Sequence, residues 1–210
     1  MIRAVSVAAR WLAPVRAKQR PVDDVLSSVY RVIASFLSTP YPIESLEYVL
    51  RGVALAETSG DRAAHAMGMA MLSAYVATGS LGRFGDRAIA NAQRLSAQSG
   101  APYPGMVVAG ASGMLATLRG NWTGMRTAHT EAETVCKRLG LERSWEASFL
   151  RTYWALGELY AGEAPRALEL LAGLTDTSED LWTRAMLGSC RGRVHVLAGD
   201  LVAARDLTLG

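Results

Sequence analysis

Apolar residues recur along this chain at intervals of three and four, the spacing that lines one side of an α-helix. Pro21-Val22-Asp23-Asp24 reads as a helix start, its aspartates suited to the positive end of the helix dipole. Behind it Val25, Val29, Val32 and Phe36 recur at helical spacing, and Ser38-Thr39-Pro40-Tyr41-Pro42 breaks the helix. A second helix is expected over 43–58, with Leu46, Val49, Val53 and Ala56 on one face and Gly60-Asp61 at its end. The clearest unit spans 101–140: two apolar-faced helices, 104–119 and 122–139, joined at Gly120-Asn121 and closed by Gly140. With 7 prolines and 20 glycines, most of them punctuating helix-like runs, turn signals are too sparse for a β-rich domain. The expected class is all-α.

The punctuation is periodic. Gly60, Gly100 and Gly140 lie forty residues apart, each after a helical run, where a C′ glycine belongs. A fourth boundary is expected near Thr177-Ser178, ahead of a helix beginning Glu179-Asp180-Leu181-Trp182. A second series, Gly79, Gly120, Gly162 and Gly199, has intervals of 41, 42 and 37 and marks a turn inside each helix pair. Two glycine series in constant alternation describe stacked helix hairpins. One pair cannot bury its own apolar face, so neighbours stack and share a core.

Charge is unevenly distributed. Arg3, Arg10, Arg16, Lys18 and Arg20 give the first twenty residues five positive charges and no acids, leaving seventeen bases against nineteen acids in the rest. The basic balance therefore belongs to a leader, not to a face of the fold, and no nucleic-acid partner is expected. Residues 1–13 pattern as a helix with Met1, Val5, Ala8 and Leu12 on one side and Arg3 and Arg10 opposite, ended by Pro14. It reads either as a basic amphipathic helix for a membrane surface or partner, or as the last helix of a preceding repeat. Arg10 interrupts any signal-peptide core. The uncharged runs 63–82 and 95–118 contain His65, Gln98, Pro102 and Pro104, so neither offers the roughly twenty continuous apolar residues of a membrane span. Cys136 and Cys190 stand far apart inside helical patterns and read as reduced, buried thiols of a cytoplasmic protein.

No phosphate loop, kinase catalytic loop or metal-binding triplet occurs. Gly79-Ser80-Leu81-Gly82-Arg83-Phe84-Gly85 is glycine-rich but follows a helix pattern rather than a strand, and reads as a turn. His65, His129 and His195 are isolated from one another; His129 and Cys136 share a helix face at a spacing of seven, two ligands where structural zinc needs four. Packing residues are the expected role. Glu131 and Glu133 with Lys137 and Arg138 read as a solvated face with i,i+4 charge pairs. Trp122, Trp145, Trp154 and Trp182, at helix starts or mid-helix, read as gap-fillers between pairs or as interface anchors. The segment is expected to be non-enzymatic, without a cofactor or metal.

The inner-turn glycine, with a small or apolar residue two positions on (Leu81, Trp122, Ala164, Leu201) and another five on (Phe84, Met125, Ala167, Ala204), resembles tetratricopeptide repeats. So does a small residue seven positions before it, at Gly113, Ala155 and Gly192, with Gly188–Gly192 suiting the same close packing. The unit departs from the standard motif: it runs to about forty residues rather than thirty-four, lacks the tyrosine after the small residue, and lacks the closing proline. The phrases Leu46-Glu47-Tyr48, Leu55-Ala56-Glu57-Thr58-Ser59-Gly60-Asp61, Leu118-Arg119-Gly120-Asn121-Trp122 and Ser144-Trp145-Glu146 are similar to the tetratricopeptide-like C-terminal regions of bacterial signalling ATPases. In that family an AAA-type or STAND-type ATPase module precedes the repeats, and a serine/threonine kinase, adenylate cyclase or helix-turn-helix regulator domain sits at one end.

The resemblance implies an α-α superhelix over 21–210: a right-handed solenoid of about four to five antiparallel pairs. It would follow a basic 1–20 segment drawn from a preceding repeat, and would be truncated at the C-terminus without a polar cap. Its exposed ends would let copies associate. The implied function is a scaffold for protein–protein or interdomain contacts, the regulatory region of a larger chain whose ATPase, kinase or cyclase activity lies elsewhere. The alternative is a sensing domain that binds a small molecule or peptide inside the superhelix. Carried from the inner-turn glycines, the motif places Met114, Thr152, Leu156, Ser189 and Arg193 on the face that holds a partner, with Arg193 as the anchor for a carboxylate. Gly60, Gly79, Gly100, Gly113, Gly120, Gly140, Gly162, Gly192 and Gly199 are implied as turn and close-packing residues.

Overall fold

The computed structural model describes residues 21–37, 41–77, 81–172, 174, 181–197 and 199–209. The described residues are helical apart from the turns between helices, and no strand occurs among them, which makes the fold all-α. In order the helices are α1 (Pro21–Leu37), α2 (Pro42–Ser59), α3 (Arg62–Tyr75), α4 (Gly82–Ser99), α5 (Pro102–Leu118), α6 (Trp122–Arg138), α7 (Trp145–Tyr160), α8 (Ala164–Ala172), α9 (Leu181–Leu197) and α10 (Leu201–Leu209). The expected 1–13 helix, Gly79 and the Thr177-Ser178 boundary lie outside the described residues.

Helix ends fall where the glycines stand. Gly60, Gly100, Gly120, Gly140, Gly162 and Gly199 all have positive φ, between 67° and 88°. That left-handed conformation is strained for residues with a Cβ, so glycine at these six positions fixes where each helix stops. After three of them the following helix starts on a polar cap. Asp61 accepts from the Ala64 N–H at 3.0 Å, Asn121 from the Gly124 N–H at 3.0 Å, and Asp200 from the Ala203 N–H at 3.1 Å. Asn121→Ala is expected to lower stability by about 1 kcal/mol in urea denaturation, with the transition slope unchanged.

The chain forms two compact units, Met1–Val108 and Ala109–Gly210, with the boundary inside α5. In the first, α1 packs on α2, α2 on α3 and α3 on α4, and α1 also meets α3. Val49, Val53 and Ala56 of α2 are buried as expected. A methyl group at Gly68 would lie 2.7 Å from Val53 Cγ2, so α2 and α3 approach closely there. The valine stripe of α1 is not its packed side. Val25, Val29 and Val32 face solvent, while Ser27 and Ala34 are buried. The reason lies in α2: the Ser27 hydroxyl donates to the Gly52 carbonyl at 3.2 Å and Ser45 donates to the Ala34 carbonyl at 2.6 Å. These bonds hold the small, polar side of α1 inward, and the Ser45 hydroxyl also pairs with the Tyr75 hydroxyl.

In the second unit α6 packs on α7, α7 on α8, α9 on both α7 and α8, and α10 on α9. Its core joins Met125, Trp154, Ala155, Leu159, Ala167, Leu170, Leu171, Leu174 and Val194. α5 comes close to this core at glycines. A methyl group at Gly157 would sit 2.9 Å from Thr117 Oγ1, and one at Gly113 would sit 2.6 Å from His129 Nε2. Gly113 is therefore a close-packing residue. A Cβ at Gly188 or Gly192 meets nothing within 4 Å among the described residues. Arg191 joins α9 to the end of α8, donating to the Leu171 and Leu174 carbonyls at 3.3 and 3.0 Å.

Candidate functional site

α7 organises the second unit. Its N-terminus is set by Ser144, whose hydroxyl accepts from the Ala147 N–H at 3.4 Å. Along one side run Trp145, Phe149, Tyr153, Leu156 and Tyr160, spaced four, four, three and four apart, which superposes them on a single stripe. The rings touch in sequence: Trp145 meets Phe149 edge-on at 6.0 Å between centroids, and Phe149 meets Tyr153 at 4.6 Å. Trp145 and Tyr160, at the two ends of the stripe, are exposed.

Tyr160 belongs to a repeated register. Leu118, Tyr160 and Leu197 each stand two residues before an inner-turn glycine, and they are 52%, 54% and 64% exposed. Each ends the first helix of a pair, on α5, α7 and α9. The equivalent residue in the first unit, Ala77, is small and buried.

The five residues expected on the partner face separate in the structure. Ser189 and Arg193 on α9 are exposed, and Met114 on α5 is half-buried. Leu156 is half-buried against the core. Thr152 is buried. It is corrected from contact residue to core residue because α7 is enclosed by α6, α8 and α9 and is also met by α5 at Gly110–Leu150 and Thr117–Gly157. A helix with that many neighbours keeps little free perimeter.

A polar cluster behind the stripe was not visible in the sequence. Glu158, 2% exposed, is gripped by the Arg126 guanidinium: Nε donates to Oε1 and Oε2 at 3.0 Å each, and Nη2 donates to Oε2 at 2.7 Å. The Trp154 indole N–H donates to Oε1 at 3.0 Å. Burial pushes this carboxyl's pKa up, but the Arg126 and Trp154 donors and the guanidinium charge outweigh it and hold the pKa below the ordinary carboxylate value. Arg166 of α8 lies 5.8 Å over the Trp154 ring. His129 stacks on Trp154 at 5.8 Å with the planes 8° apart. The one sequence signal for the cluster was a lone acid, Glu158, in the apolar run Tyr153–Tyr160.

The chemistry of these groups is closed in. His129, Glu158 and Cys136, whose pKa values are shifted, are each no more than 3% exposed. Burial raises the pKa of the Cys136 thiol, which keeps it protonated and unreactive. His129 and Cys136 join no group of three or more metal-ligating side chains among the described residues. Glu133 pairs with Lys137 at 3.5 Å on its own helix, as expected, and with Arg151 of α7 at 3.3 Å. The described helices include none long and apolar enough to cross a membrane. The cluster is suited to clamping α6 on α7, and the surface chemistry on offer is the aromatic and apolar register with Arg193 beside it. Comparison with protein-family models, with curated proteins and with solved structures gave no match to this chain.

Proposed function

We propose that the chain is a non-catalytic helical-repeat module that holds a protein, a peptide or a neighbouring domain of a longer polypeptide. The contact edge is Leu118, Tyr160 and Leu197 of its second unit. The observation that carries this reading is the register itself. Single exposed apolar residues are ordinary, but three large ones at the same place in three successive pairs give a partner a repeating row of anchors. Affinity would come from a few such anchors rather than from total area. Arg193, one helical turn before Leu197, adds a charge for a carboxylate of the partner.

A tetratricopeptide-like superhelix is the architecture in keeping with this role. Within each unit helices pack on their neighbours or next neighbours in sequence, the quasi-one-dimensional order of a solenoid. The regulatory region of a cytoplasmic bacterial signalling ATPase is the setting that the sequence phrases suggest. Arg193→Glu is expected to weaken partner capture about tenfold, roughly the 1.4 kcal/mol of one lost charge-assisted contact, while leaving the melting curve in place. A pull-down titration from the native host, run beside thermal denaturation, checks this. Unchanged capture would remove Arg193 from the partner edge.

A further inference from the structure

We infer that His129 is an acid release built into the second unit: on taking a proton, the imidazole leaves its slot between Gly113 and Trp154, and the packing of α5, α6 and α7 opens with it. Three observations of geometry support this. The ring is 1% exposed. Neither of its nitrogens has a hydrogen-bond partner in the described structure. It is also closely packed: a Cβ built on Gly113 would lie 2.6 Å from the ring's Nε2, and the Trp154 indole stacks on the ring at 5.8 Å. A neutral imidazole tolerates such a site by packing alone. An imidazolium does not, because it has two N–H donors and a charge with nothing to receive them.

The charged groups around the ring leave it no counter-ion. Glu158 of α7 is nearest in kind, but its two oxygens already accept from Arg126 and Trp154. Arg126 comes from α6 itself, and Arg166 of α8 lies over Trp154 and pairs with Glu169. Glu133, one turn further along α6, is taken by Lys137 and Arg151. α5 carries no charged residue at all. Burial therefore dominates and pushes the His129 pKa down to about 4 from 6.5, against a smaller upward pull from Glu158.

The sign follows from which state binds more protons. Between pH 6.5 and 4 the unfolded chain protonates this histidine and the folded chain does not, so stability falls as pH falls through that window and is level on either side of it. Loss of the Glu158 pairing comes lower, once its depressed carboxyl titrates.

The test is urea denaturation of the full chain at pH 7.5 and 4.5, for wild type and His129→Leu. The wild-type folding constant is expected to fall roughly 70-fold more than the variant's between these pH values. In wild type alone, the assigned His129 Cε1–H resonance should hold its neutral shift at pH 5, a readout that stands if the variant does not fold. Equal pH dependence of the two proteins, or titration of that resonance near 6.5, would overturn the inference.

Discussion

Trp154→Ala is expected to cost the second unit about 4 kcal/mol, the upper part of the range for removing a buried aromatic. Trp154 lies in the core with Met125, Ala155, Leu159 and Leu171. It also does two things that its size does not capture. Its indole N–H is one of the donors that keep the buried Glu158 carboxylate solvated by protein, and its face supports the His129 ring. Trp154→Phe separates these contributions. Most of the apolar volume remains, a donor to Glu158 is lost, and the expected cost is about 1–2 kcal/mol. Urea titration of both variants checks the ordering. Equal losses would mean that the hydrogen bond dominates over the packing, contrary to the area and cavity argument.

The second large effect is expected at Gly113. Its built Cβ would lie 2.6, 2.7 and 2.9 Å from three atoms of the His129 ring. The ring cannot retreat, because Trp154 backs it and is itself tied to Glu158. Gly113→Val should therefore cost about 3 kcal/mol, overpacking outweighing the roughly 0.5 kcal/mol that leaving glycine gains in a helix. The clash is specific to one partner, so it is expected to be non-additive. In a His129→Ala background the same substitution should cost at least 1 kcal/mol less, a coupling of the size expected for residues in contact. An additive cycle would place the strain elsewhere.

Sequence and structure agree most closely where backbone geometry dictates the residue. A left-handed helix end strongly favours glycine, and three glycines read as C′ residues and three read as inner-turn residues all have positive φ. Asp61, Asn121 and Ser144 cap the helices that follow them, a role not assigned to them from the sequence. Faces were harder. The valines of α1 satisfy helical periodicity but point outward, because hydroxyl-to-carbonyl bonds through Ser27 and Ser45 select the opposite side. Periodicity identifies an apolar stripe without saying which stripe a crowded neighbour will accept. Thr152 failed as a contact residue for a related reason, since α7 is enclosed by its neighbours. Glu158 and Arg126 are 32 residues apart and belong to no local pattern, so their pairing required the fold. The exposed register Leu118–Tyr160–Leu197 was present in the sequence, two residues before each inner-turn glycine, but only its exposure distinguishes it from core.

The claim that this register is a partner edge is tested most directly by position-specific photo-crosslinking in the cell that makes the protein. A photoreactive amino acid would be placed in turn at Leu118, Tyr160 and Leu197, and at Thr127 and Thr130, which are exposed on α6. The account predicts that the first three positions crosslink to one and the same protein or neighbouring domain, and that the two α6 positions do not. Crosslinks of equal yield from all five positions, or none from Leu118, Tyr160 and Leu197, would contradict it.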